Sequence, residues 1–125
     1  MVLTAFLLLA PPVQAAAPAE ALAQEVVVIG RKRKTWRATF RTGREGLTCR
    51  TRTSSGDPEI DALGCAAMTQ CWPNVRAKFD ASLTKGIANA DRQLLQTEAN
   101  ATLTECVSAQ HKKRIEALAI ARTSR

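Results

Sequence analysis

Tyrosine is missing from the 125 residues, and two Trp and three Phe are all the aromatic rings there are. With Phe6 in an apolar leader, only Trp36, Phe40, Trp72 and Phe79 are left to anchor a core. Histidine occurs once, at position 111, which excludes a multi-histidine metal centre and reads as a surface residue beside Lys112. Four cysteines are too few for an array of zinc fingers. There is no Gly-rich phosphate loop and no nucleophile elbow. Catalytic residues, metal ligands and cofactors are therefore assigned to none of the positions, and the chain reads as a non-enzyme. No apolar run reaches the roughly 20 residues that a bilayer-spanning helix requires.

What is present is ordinary for a folded chain: 46% hydrophobic and 23% charged residues. Its length suits a single domain. Residues 1–15 read as a signal peptide: Met1–Ala10 is a short apolar run, Pro11-Pro12 breaks it, and Val13 and Ala15 meet the small-residue rule for cleavage before Ala16. A second match ends at Ala23. Residues 16–24, rich in alanine, read as a mobile linker, and residues 25–125 as one domain.

Export agrees with the cysteines. Cys49, Cys65, Cys71 and Cys106 are even in number, their spacing matches no common zinc pattern, and Cys65-x5-Cys71 is not the two-residue redox spacing. They read as two structural disulfides in a periplasmic or secreted protein.

The charge is concentrated. The net +7 arises from residues 31–52, where nine basic side chains face Glu45 alone, a net +8. Residues 53–125 carry +1 and residues 1–30 carry −2. A local field of one sign either keeps a surface solvated or concentrates an anionic partner. The anion-binding candidates are Arg31, Lys32, Arg33, Lys34, Arg37, Arg41, Arg50 and Arg52.

Periodicity orders the rest. Four consecutive β-branched residues, Val26–Ile29, favour a strand. Residues 35–53 alternate around Gly43-Arg44-Glu45-Gly46, the signature of a hairpin. A four-residue loop pairs Thr42 with Leu47, Phe40 with Cys49 and Ala38 with Thr51. Trp36, Ala38, Phe40, Leu47 and Cys49 then share the inner face; Arg37, Arg41, Arg50 and Arg52 share the outer one, with Arg31–Lys34 at the sheet edge. Asp57 and Pro58 open a helix whose stripe is Ile60, Leu63, Gly64, Ala67, Met68 and Cys71, ending at Trp72-Pro73. A further helix follows from Asn74, then a break near Gly86 with Asn89 as cap, then a helix over about 90–122. An unbroken helix over 74–122 is the competitor, but it would carry Cys106 about 48 Å from its start, out of reach of a partner.

Three disulfide maps exist. Cys65 and Cys71 lie about 9 Å apart along one helix, farther than a disulfide spans. Folding the last two helices back at the break brings Cys106 near Cys71, and the helix from Pro58 passes Cys49 at Cys65. Cys49–Cys65 with Cys71–Cys106 is the favoured map; Cys49–Cys71 with Cys65–Cys106 is the competitor.

The segment Gln24-Glu25-Val26-Val27-Val28-Ile29-Gly30-Arg31 resembles the TonB-box segment of TonB-dependent outer-membrane receptors, with Ile29 where those often carry Thr. That resemblance implies an extended strand offered to a partner. The signal, this segment, the basic hairpin and the four cysteines together resemble small secreted four-cysteine proteins of unknown function from alphaproteobacteria, which implies an envelope location.

The fold expected is α+β: a small basic β-hairpin or three-stranded sheet packed against three helices and stapled by two disulfides. The expected function is a non-enzymatic periplasmic or secreted interaction module whose basic sheet face meets an anionic partner: anionic lipid, lipid A phosphates or an acidic envelope protein. The compartment argues against nucleic acid. One alternative is an envelope accessory that binds by strand addition through residues 25–29. The other is a thiol–disulfide enzyme using Cys71.

Overall fold

The structure, a computed structural model, describes residues 17–125. The expected signal peptide lies outside the described residues. Four helices and one two-stranded sheet follow in the order α1, Ala17–Thr35; β1, Arg37–Gly43; β2, Gly46–Thr53; α2, Pro58–Cys71; α3, Arg76–Ser82; α4, Asn89–Thr123. A 3-10 turn, Trp72–Asn74, joins α2 to α3. The fold is α+β, with the hairpin backed by the three helices that follow it.

The fourth helix, α1, corrects the reading of residues 17–34. Where a linker and a strand were expected, one helix of 19 residues runs. Ala17, Ala19, Ala21, Leu22 and Ala23 are strong helix formers. Leu22, Val26 and Ile29 recur at helical spacing and pack on Ile60 of α2 and Ile115, Leu118 and Ala119 of α4. β-Branching costs a helix only tenths of a kcal/mol per residue, whereas burying an Ile side chain is worth about 1.5–3 kcal/mol. Ile29 is fully buried, so packing decides, and Val27 and Val28 remain exposed on the far side. Lys32, Arg33 and Lys34 fall in the last turn, where cations suit the helix dipole. They mark the end of α1 and not the edge of the sheet.

The hairpin has the expected register: Thr42 opposite Leu47, Phe40 opposite Cys49, Ala38 opposite Thr51. Gly46 takes φ 116°, which a side chain would resist. Beyond Ala38 the register shifts, so that Arg37 faces Thr53 and Arg52 is the extra residue of a bulge. The sheet has two strands, so the three-stranded option does not occur among the described residues.

Asp57 caps α2, accepting from the backbone N–H of Glu59 at 3.0 Å and of Ile60 at 3.4 Å. Ile60, Gly64, Ala67 and Cys71 form its buried stripe. α3 and α4 are separated near Gly86, as expected, but the cap of α4 is Ala88 and not Asn89, and no side chain serves it. At 35 residues α4 is about 52 Å long. Its first half packs Ala99 and Leu103 on Trp72, Val75 and Phe79; its last turns close on α1 and α2. The disulfides follow the favoured map. Cys49–Cys65 joins β2 to α2 with α-carbons 5.6 Å apart, and Cys71–Cys106 joins the end of α2 to the middle of α4 at 5.8 Å.

Candidate functional site

The hairpin sorts its side chains by parity. On the inner side Trp36 is buried, and its Nε1 donates to Thr51 Oγ1 at 2.9 Å. Cys49 on the same side is bonded to α2. On the outer side Thr39 stands opposite Arg50 and Arg41 opposite Thr48. With Arg52, these side chains line a shallow depression of about 480 Å³. Arginine and threonine therefore alternate like a checkerboard, with no arginine directly opposite another. Like charges on one sheet face still repel across the diagonal. Among the described residues no carboxylate lies within 4.0 Å of Arg41, Arg50 or Arg52, because the ion pairs of the molecule engage Arg76, Lys78, Arg122 and Arg125.

The structure separates the eight basic candidates into three groups. Arg41, Arg50 and Arg52 share the outer face. Arg37 is turned to structural use: its Nη1 donates to the carbonyl of Lys34 at 2.6 Å and of Trp36 at 2.8 Å, closing the end of α1. Arg31, Lys32, Arg33 and Lys34 belong to that helix end, and Arg33 and Lys34 look along a depression shared with α4.

The face is held from behind and at its tip. Arg76 Nη2 donates to the carbonyls of Gly43 and Arg44 at 3.3 and 3.0 Å, pinning the hairpin loop to the start of α3. Cys49–Cys65 fixes the middle of β2. The backbone of the outer face is therefore fixed at its tip and from behind.

Two polar arrangements were not foreseen. Arg122, near the end of α4, reaches Asp57 Oδ2 at 2.5 Å, Glu25 Oε1 at 3.6 Å and Glu59 Oε1 at 3.6 Å, tying three helices together. Burial pushes the Asp57 carboxyl up, but the Arg122 guanidinium and the N–H donors of the helix start outweigh it and hold it below the ordinary carboxylate value. The cap itself was legible; a partner 65 positions away was not. His111 is the second. Its ring is half-buried, not at the open surface as expected, and its buried Nε2 has no hydrogen-bond partner among the described residues. Burial, with Arg33 and Arg114 nearby, lowers its pKa to about 4, so the ring is neutral at pH 7.

All four cysteines are paired and Cys71 is fully buried, so an attacking thiolate has no path to it. Residues 25–29 are turns of α1, with backbone groups satisfied inside the helix, so they offer no strand edge, and the extended conformation implied by the TonB-box resemblance is not adopted. Among the described residues no three His, Cys, Asp or Glu side chains are grouped to hold a metal, and no helix is long and apolar enough to cross a membrane. Comparison with protein-family models, with curated proteins and with solved structures found no match for the chain.

Proposed function

We propose that the protein is a non-enzymatic interaction module of the periplasm or the secreted space, and that the outer hairpin face carries a phosphate-bearing lipid surface. The compartment is supported by the pairing of all four cysteines, since disulfides persist in oxidising compartments. The observation that carries the function is the row of Arg41, Arg50 and Arg52, exposed, interleaved with threonine and without a carboxylate partner. All three cations are arginines, whose planar fork matches phosphate oxygens in a bidentate way that lysine cannot. Thr39 and Thr48 add hydroxyl donors between them. Three unneutralised charges on one rigid face repel each other, and an array of phosphates relieves that repulsion.

The test is co-sedimentation with phosphatidylglycerol vesicles and with phosphatidylcholine vesicles at several salt concentrations. Binding to the anionic vesicles alone is expected, weakening as the screening length shrinks from about 10 Å at 0.1 M toward 3 Å at 1 M. The triple variant Arg41→Glu, Arg50→Glu, Arg52→Glu should lose it with an unchanged circular dichroism spectrum, while Arg37→Gln should keep most of it. Equal binding by the wild type and the triple variant would overturn the reading. Retention of an acidic protein but of no vesicle would move the partner to that class.

A further inference from the structure

On the other side of the hairpin lies a trough with two unlike halves. One half, of about 410 Å³, runs between α1 and α4 and is bordered by Arg33, Lys34, Lys112 and Glu116. The other, of about 280 Å³, lies against the inner hairpin face and α2, lined by Trp36, Phe40, Met68, Leu103 and Val107. Ser108 and His111 line both, so the halves meet there. Phe40 belongs to the inner face and stands edge-on to Trp36 at 6.4 Å, yet 37% of it is exposed. The inner hairpin face is therefore incompletely covered by the helices at Phe40. At the other end three cations face one carboxylate, and among the described residues none of the three lies within 4.0 Å of an acidic group.

We infer that this trough binds the anion of a single-chain fatty acid, its hydrocarbon tail along Phe40, Met68, Leu103 and Val107 and its carboxylate at the end marked by Arg33, Lys34 and Lys112. Charge complementarity selects the occupant. A neutral apolar molecule would fill one half and leave the cations unmatched, and a small inorganic anion would leave the aromatic half empty. The apolar half is at the small end of ligand cavities, which suits one unbranched chain and not the paired chains of a bilayer lipid. His111 lines the wall where the halves join, and its neutral ring adds no charge between the apolar half and the basic one. The inference does not rest on the outer face, since Arg41, Arg50 and Arg52 lie on the opposite side of the sheet.

The experiment is calorimetric titration of the purified full chain with octanoate, decanoate and dodecanoate, each below its micelle concentration, and with the neutral glycerol ester of dodecanoic acid. Saturable one-to-one binding is expected, tightening with chain length by up to about fourfold per methylene until the apolar half is full, and at least tenfold weaker for the neutral ester. Phe40→Ala, which alters an exposed ring and leaves the fold intact by circular dichroism, should weaken dodecanoate at least fivefold. Lys34→Glu with Lys112→Glu should weaken it tenfold or more. The triple arginine variant of the outer face should bind dodecanoate within twofold of wild type, which separates this outcome from that of the vesicle test. Absence of saturable binding, equal affinity for the neutral ester, or indifference to the Lys34 and Lys112 reversals would overturn the inference. A concentration-dependent dimer broken by Phe40→Ala, with no dodecanoate uptake, would give the trough to a second copy of the chain and overturn it equally.

Discussion

Gly64 and Gly30 are both helical glycines, and they predict opposite results for one chemical change. A β-carbon added at Gly64 would stand 2.3–2.6 Å from the Trp36 ring, and that ring cannot retreat because it is buried and hydrogen-bonded to Thr51. Overpacking costs about 1–3 kcal/mol, against about 1 kcal/mol gained from alanine's helix propensity. Gly64→Ala should therefore destabilise by up to about 2 kcal/mol in urea unfolding. At Gly30 nothing lies within 4 Å, so Gly30→Ala should stabilise by up to about 1 kcal/mol. His111 supplies a pH dependence. Its folded pKa, about 4, lies below the ordinary 6.5, so between those values the unfolded chain binds a proton that the folded chain does not. That share of stability is complete above pH 6.5 and is lost as pH falls toward 4. Thermal midpoints measured from pH 7 to pH 4 should decline, and His111→Gln should flatten the decline. Below pH 4 a second loss follows as Asp57 and Asp61, both held below their usual values, become protonated.

Among the elements, α1 is where local preference and tertiary packing disagree. Ile29→Ala should cost about 2–5 kcal/mol, since the side chain is fully enclosed by α2 and α4, while Val28→Ala on the exposed side should change stability by less than about 0.5 kcal/mol. Equal effects of the two, measured by urea unfolding, would be the signature of a strand buried on both faces. The hairpin, by contrast, was legible in its register from Ala38–Thr51 to Thr42–Leu47, because a period of 2 on either side of a glycine-bearing loop puts Phe40 and Cys49 together; the bulge at Arg52 and the shortening of the loop to Arg44-Glu45 were not. The break before α4 was legible from Gly86 together with the reach of Cys106, and helix rise against the short reach of a disulfide left two maps, of which the favoured one is formed. Residues 25–29 were not: the spacing of Leu22, Val26 and Ile29 carried the helical signal, but four β-branched residues in a row carry a local preference that only the surfaces of α2 and α4 overturn. The misplacement of Arg31–Lys34 at the sheet edge follows from that single step. The fatty-acid trough had no sequence signal, since its wall is assembled from α1, the hairpin, α2 and α4.

At the scale of the whole molecule, small size leaves covalent links a large share of stability. Cys71–Cys106 closes a loop of 35 residues and Cys49–Cys65 one of 16, so by chain entropy they contribute about 4 and about 3 kcal/mol. Replacing Cys71 and Cys106 together by serine should lower stability by about 3–4 kcal/mol in urea unfolding, and replacing all four should leave little cooperative transition. Both links lie between residues 49 and 106, so α1 carries no disulfide and is held by side-chain packing, the Glu25–Arg122 ion pair and the Arg37–Lys34 hydrogen bond. Its partners are Ile60 and Leu63 of α2 and, from the last turns of α4, Ile115, Leu118, Ala119 and Arg122. A chain that emerges amino end first therefore meets the α2 part of that surface, at Ile60, about 30 residues after Ile29, and the α4 part only about 90 residues after it. Until α4 is complete Val26-Val27-Val28-Ile29 is only partly covered, and a run of this composition is an aggregation hazard. Arg31-Lys32-Arg33-Lys34 follows within two residues, where four like charges keep neighbouring chains apart. The cations that end the helix are thus also placed where charge opposes such pairing between chains.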